Sequence, residues 1–203
     1  MHKMLLDIHT QMQTDRLLLR CYEPGDGQWY YRVGQKNQAH LQQYESDNVI
    51  LSARSPEGAE ISIREMIAGW VARNCFFLGA FEKTSAAFVA QVYVRPVDWK
   101  LLEFEIGYFV DVDQQGKGYM TEAVNATLGW LFDHLEAHRV RLRCDDTNVR
   151  SARVAERCGF TREVHLRENK LNPDGTFSGT LYYGILKSDY QAQRNASQLN
   201  QGD

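Results

Sequence analysis

The period of the hydrophobic positions changes along the chain, and each change predicts a change of element. The run DRLLLRCY from Asp15 has the short apolar character of a strand, and Pro24 with Gly25 ends it. Polar-rich helical stretches follow up to Asn74. The clearer one spans Pro56 to Val71, with Pro56 near its start and Ile61, Ile63, Met66, Ile67 and Trp70 forming a stripe at roughly helical spacing. CFFLGAFEK, AAFVAQVYVRP and LLEFEIGYFV are aromatic and β-branched runs separated by polar or Pro-containing breaks. They predict successive strands of a meander.

Helical spacing returns after the glycines of QQGKG, where Met120, Val124, Leu128, Leu131, Phe132 and Leu135 recur every three or four residues. That pattern predicts a helix of about four turns with one buried face. VRLRC reads as a strand, and Asn148 to Arg157 as a short helix closed by Gly159. FTREVHL and TLYYGILKSDY then predict two strands joined by NKLNPDGTFSG. The last segment, QAQRNASQLNQGD, contains little to bury and predicts a disordered tail. The division expected is an N-terminal extension over 1–14, one domain over 15–190 and a polar tail over 191–203.

Composition narrows the class. A chain of 203 residues with 43% hydrophobic content fits one sizeable domain better than two small ones. A net charge of -3 argues against a broad footprint for nucleic acid, so no direct nucleic-acid binding is expected. Cys21, Cys75, Cys144 and Cys158 are far apart and form no CxxC pair or His/Cys cluster at zinc spacing, so neither a disulfide framework nor a metal is expected. His134 and His138 stand four apart on a helix and read as surface residues for want of a third ligand nearby. The N-terminus MHKMLLDIHTQMQ carries too short an apolar run for a signal peptide or a membrane span, which predicts a cytoplasmic protein without a membrane partner. The NAS sequon at Asn195 is read as chance in that setting.

Candidate chemistry concentrates in QQGKGYMTEAV, Gln114 to Val124, between a strand ending near Val110 and a helix beginning near Tyr119. A helix N-terminus leaves backbone N–H groups unpaired and carries about half a positive charge, so it suits an anion, and glycines let a phosphate approach the backbone. Spacing excludes two phosphate loops. A Walker loop ending at Gly116 and Lys117 requires a glycine where Asp111 stands and Ser or Thr where Gly118 stands. A Rossmann fingerprint starting at Gly116 requires a glycine at Thr121 and a βαβ unit rather than a meander.

Gln115-Gly116-Lys117-Gly118-Tyr119-Met120 resembles the Q/R-x-x-G-x-G/A loop of the GCN5-related N-acetyltransferases, with Met120 where that pattern has Gly or Ala. Asn148-Val149-Arg150-Ser151 followed by ARVAERCGF resembles the N-x-x-S segment and the helix ending in G-F that follow the fifth strand of the same family. With EIGYFVDVDQQGKGYMTEA, the pattern is most similar to the subgroup of ribosomal-protein alanine and serine N-acetyltransferases. The resemblance covers about Asp15 to Tyr190. It implies a mixed α/β fold whose central, mostly antiparallel sheet is splayed between the fourth and fifth strands and flanked by helices.

It also implies acetyl-CoA as co-substrate. Backbone amides of Gln115, Gly116, Lys117, Gly118, Tyr119 and Met120 are expected on its pyrophosphate. Main-chain groups of Phe109, Val110 and Val112 are expected along its pantetheine arm, with Asn148 bonding that arm and Ser151 protonating the departing thiolate. Lys117 read without a ligand is a solvated lysine, and Ser151 a helix-start residue. The tyrosine that serves many relatives as acid is replaced by Ala155.

The reaction requires a neutral amine, and a protein α-amine, with a pKa of about 7.7–8.0, reaches that form far more readily than a lysine at about 10.4. Glu105 in EIGY matches the strand glutamate that serves as base in relatives, and is expected to need a raised pKa. Glu103 on the same strand side, Glu168 and water stay open as alternatives, with Lys170 standing against the hairpin route. Acceptor lining is expected from Trp29, Tyr30, Tyr31, Tyr44, Asp47 and NPDGTFSG. The acceptor reads as a primary amine, on a peptide N-terminus or a small molecule such as an antibiotic, attacking directly in a ternary complex. Competing readings are an acyl-CoA-sensing module without turnover, supported by Met120 and Ala155, and a phosphotransfer protein. A homodimer through the last strands or the tail also stays open.

Overall fold

In the computed structural model, residues 2–172 and 174–199 are described, the side chains of 197–199 excepted. In chain order the elements are β1 (Gln11–Gln13), β2 (Leu17–Cys21), α1 (Gly27–Tyr44), α2 (Pro56–Val71), β3 (Phe76–Glu82), β4 (Phe88–Asp98) and β5 (Glu103–Val110). They continue with α3 (Tyr119–Gly129), β6 (Arg139–Asp145), α4 (Val149–Arg157), β7 (Thr161–Leu171), β8 (Phe177–Leu186) and α5 (Lys187–Leu199). The strands form one sheet in the order β1-β2-β3-β4-β5-β6-β8-β7.

Within this sheet the β5–β6 join is parallel and the other pairs are antiparallel. A parallel join needs a crossover, which here carries α3. β5 and β6 pair from Glu103 opposite Arg139 to Ile106 opposite Leu142 and then part. Gly107 to Val110 and Arg143 to Asp145 therefore flank an opening. This is the splay expected between the fourth and fifth strands, renumbered by one because β1 adds an edge strand that the N-terminal extension was not expected to hold. Its cause is tertiary: Met12 pairs with Leu19 and packs against the core, and Ile8 beside it is buried.

Two buried clusters sit against the sheet, and strand alternation assigns neighbours to different ones. Phe76, Phe104 and Ile106 belong with α3 and α4, whereas Phe109 belongs with Tyr30, Leu41, Ile63 and Met66 of α1 and α2. The α1–α2 joint explains Gly27, whose Cβ would lie 2.5 Å from the Glu60 Cα. Glu60 accepts from the N–H groups of Gly25 and Gly27 at 3.0 and 3.1 Å, so α2 closes the start of α1. Ser55 caps α2 from the position before Pro56.

Three sequence expectations need correction. The helix after Gly118 is α-helical only to Gly129 and then widens into a π turn over Trp130–His134, where the Leu135 N–H reaches the Trp130 carbonyl at 3.3 Å. The turn brings Trp130, Leu131 and Phe132 all into the core. The last strand ends at Leu186, not Tyr190, because Asp189 accepts from the Leu186 N–H at 3.1 Å and starts a helix. Of the tail expected to be disordered over 191–203, the described part is helical through Leu199, and 200–203 lie outside the described residues. Contacts distant in sequence hold it: Tyr190 stacks on Phe132 at 4.7 Å, Arg194 pairs with Asp133 at 2.7 Å, and Gln193 donates to the Gly159 carbonyl at 3.2 Å.

Candidate active site

The splay opens into two adjoining cavities. One, of about 770 Å³, lies over the start of α3 and is lined by Phe109, Val110, Gln115, Gly116, Gly118, Tyr119 and Met120. Gly116 and Gly118 have φ of +77° and +80°, a left-handed conformation that L side chains adopt at a cost, and a Cβ at Gly116 would have no heavy atom within 4 Å. The loop's open side thus faces the cavity rather than packed protein. Arg16, just before β2, braces it by donating to the Lys117 carbonyl at 3.0 Å and pairing with Glu122 of α3 at 2.6 Å. Met120 turns into the main core, so the departure from the loop pattern leaves the backbone accessible. A pyrophosphate fits this cradle of backbone donors at a helix start.

Not every expected ligand contact is brought together. The Val112 N–H is taken by the Asn37 Oδ1 at 2.8 Å, so Val112 has no donor left for a pantetheine arm. Lys117 bends back to Gln114 Oε1 at 2.8 Å and does not line the cavity. Asn148 is the N-cap of α4, its Oδ1 accepting from the Ser151 N–H at 3.1 Å, which leaves its NH2 as the donor for a ligand. Ser151 is the capped residue, not the cap.

Sequence reasoning missed Arg153 and Arg157, which line this cavity beside Arg150. Their spacing of three and four on a short helix, one face of α4, was the available signal. Together they put three cations along one side of this cavity. It also missed Tyr108, which lines both cavities and donates to the Ser151 carbonyl at 3.0 Å, its oxygen 3.4 Å from the Ser151 Oγ. Burial pushes the Tyr108 phenol well up, so it stays protonated at neutral pH. With Ala155 fully buried in α4, Tyr108 is the phenol that reaches this point.

The second cavity, of about 820 Å³, is lined by Tyr44, Asp47, Tyr93, Glu105, Arg143 and Lys170 among others. Tyr44 and Asp47 are where the sequence put them. Trp29, Tyr30 and Tyr31 do not line it: Tyr30 is fully buried with its hydroxyl 3.0 Å from Gln91, and Trp29 packs on Phe81 and Phe88. None of the described residues of NPDGTFSG lines either cavity. Cys144 does, but burial raises its thiol to about 11, so it carries little thiolate for acyl transfer.

Register decides the state of Glu105. It stands opposite Arg95 on β4 and Arg141 on β6, and its oxygens accept from them at 3.0 and 2.9 Å. Burial alone would raise this carboxyl, but the Arg95 hydrogen bond and the charges of Arg95, Arg141 and Arg143 outweigh it and hold it below the usual range. The raised pKa expected of a base is not what these neighbours produce. Glu103 pairs with Arg139 at 3.4 Å and lines neither cavity. Because the folded pKa of Glu105 lies below the unfolded one of about 4.3, its stabilisation is complete above that value and is lost as pH falls through the folded pKa. Glu105→Gln should lower stability at pH 7 by on the order of 1–2 kcal/mol and by less at pH 3. Urea midpoints at both pH values check this, and an equal loss at both would contradict it.

The Acetyltransferase (GNAT) domain matches residues 16–161. The chain is 25% identical over 183 residues, 89% of it and 96% of the relative, to YdaF of Bacillus subtilis (strain 168), named "Putative ribosomal N-acetyltransferase". It has the fold of the ribosomal-protein-S5-alanine acetyltransferase from Vibrio fischeri, with a TM-score of 0.77 and 20% identity over 89% of this chain and 98% of that one. RimL, a ribosomal L7/L12 alpha-N-protein acetyltransferase in complex with coenzyme A, gives 0.76 and 20% over 85% and 95%. With its glycine cradle at a helix start and a splayed sheet beside it, the chain belongs to the GNAT acetyltransferase family and is an acetyl-CoA-dependent N-acetyltransferase.

Proposed function

We propose that the acceptor is the α-amine of a protein N-terminus, of the kind presented by a ribosomal protein. The observation that carries this reading is the acceptor cavity, whose roughly 820 Å³ leaves room for an extended peptide end and whose lining carries both signs of charge. Its lining mixes Asp47, Glu105 and Asp145 with Arg95, Arg143 and Lys170, which suits a zwitterionic peptide backbone better than a bare polycation. The names of the full-length relatives point the same way, and such a substrate goes with the cytoplasmic location expected from the sequence.

Acetyl-CoA supplies the activated acetyl thioester. The α3 start and the α4 arginines bind its phosphates, while the free edge of β5 at Phe109 and Val110 aligns its arm. Ser151, with the protonated Tyr108 beside it, donates the proton that the leaving sulfur needs. Glu105, held ionised by two guanidinium groups, shapes the acceptor wall. Thiol release with unblocked N-terminal peptides beginning Ala or Ser is expected to exceed that with a polyamine by at least roughly tenfold in kcat/KM, about 1.4 kcal/mol of transition-state preference. A polyamine or an aminoglycoside as the better substrate would overturn this reading.

A further inference from the structure

Tyr44, Glu45, Tyr108, Phe109, Asn148 and Ser151 line both cavities, so they surround the point where the acetyl group and the amine meet. Glu45 is the one carboxylate among them. It lies just past the last turn of α1, where its N–H still bonds the Leu41 carbonyl at 2.7 Å. A turn over 45–48 locks it: the Asn48 N–H reaches the Glu45 carbonyl at 2.9 Å, and the Asn48 Nδ2 donates to Glu45 Oε2 at 2.8 Å.

The other carboxylates of the acceptor cavity are differently placed. Glu105 is held by Arg95 and Arg141, Asp145 by Lys170 at 3.2 Å and by Ser178, and Asp47 is exposed. Glu45 accepts its hydrogen bond from a neutral amide, so that bond brings no cation to offset its charge. Burial, and then the charge of Asp47, raise its carboxyl to about 7, against the Asn48 bond that lowers it. A proton acceptor of that strength is matched to neutral pH, whereas Glu105 is a weaker one.

We propose that Glu45 is the general base of the transfer, taking the proton from the acceptor ammonium at the junction of the two cavities. This rests on the N-acetyltransferase activity and not on which amine is accepted. One ammonium proton goes to the Glu45 carboxylate. The freed nitrogen pair forms the C–N bond to the acetyl carbon, and the C–S bond breaks with its electrons going to the coenzyme A sulfur. The second nitrogen proton ends on that sulfur through Ser151 and Tyr108, and Glu45 returns its own proton to solvent. The charged and titratable groups facing Glu45 are Tyr44 and Asp47 beside it, Tyr108 of β5 and, along the co-substrate cavity that Glu45 also lines, His40, Arg150, Arg153 and Arg157. Across the acceptor cavity stand Arg95, Glu105, Arg143, Asp145 and Lys170.

The experiment compares wild type, Glu45→Gln and Glu45→Ala, using whichever amine of a peptide and polyamine panel the wild type turns over best. Acetyl-CoA affinity is measured by calorimetry and kcat/KM from pH 5.5 to 9.5. Glu45→Gln is expected to bind acetyl-CoA within about threefold of wild type and to lose roughly 100-fold in kcat/KM at pH 7. The loss should shrink above the amine's own pKa, and the limb near pH 7 should vanish. Added formate should restore part of the activity of Glu45→Ala. An unchanged profile, or an equal loss at every pH without formate rescue, overturns the assignment. A polyamine preference with the Glu45 signature intact would overturn only the peptide acceptor.

Discussion

Gly118→Glu is expected to weaken acetyl-CoA binding by at least about 100-fold, ~2.7 kcal/mol, while the protein stays folded. Two costs act together. The residue sits at φ +80°, where any L side chain is strained by about 1 kcal/mol, and the new carboxylate would stand at the N-cap of α3 where a pyrophosphate is to bind. Space is not the obstacle, since a Cβ at Gly118 meets only the Arg16 Nη2 at 3.5 Å. Gly118→Ala should therefore lower stability by about 1 kcal/mol and leave affinity within about threefold of wild type, because the free protein carries the strain as well. Lys117→Ala should change affinity by less than about threefold, because that side chain bends to Gln114. Calorimetric titration of all three variants decides it: tight binding by folded Gly118→Glu would remove the α3 start from the co-substrate site.

Phe104→Ala is expected to be the most damaging single change to stability, by about 3–5 kcal/mol, a large share of the 5–15 kcal/mol of an ordinary domain. The ring is fully buried at the parallel join, opposite Pro96 on one side and Val140 on the other, and meets Trp99 edge-on at 5.3 Å. Neighbours fixed in two directions by strand pairing have little freedom to collapse into the space left behind. The thermal midpoint should fall by roughly 6–20 °C. Saturating acetyl-CoA should recover part of this, about 2.7 kcal/mol at a hundred times its Kd, since the ligand binds the folded state alone. A loss under about 1 kcal/mol would mean the join is not the stabilising centre it appears from burial.

Local signals carried far into the fold. Ile63, Met66 and Trp70 with the proline at the start predicted α2 over the residues it occupies, although Ile61 of the same stripe faces solvent, and the aromatic runs gave β3, β4 and β5 in order. The glycine pair announced an anion cradle because left-handed φ and a helix start are properties of a few adjacent residues. The edge strand at Met12 and the helix after Tyr190 were illegible for the opposite reason. Their sequences are polar, and their order comes from Leu19 in one case and from Phe132, Asp133 and Gly159 in the other.

The same division runs through the site. The sequence alone determined the family, the glycine loop at a helix start and the order of the elements from β2 to β8, since each rests on residues close together in the chain. Only the tertiary structure decided which side chains face the reaction. It paired Glu105 with two arginines through strand register, packed Trp29 against the core and buried Tyr30 in it, and set Tyr108 beside Ser151. It also carried Glu45 from the end of α1 to the edge of both cavities. A side chain's charge state and reach depend on neighbours many residues away, and packing selects those neighbours.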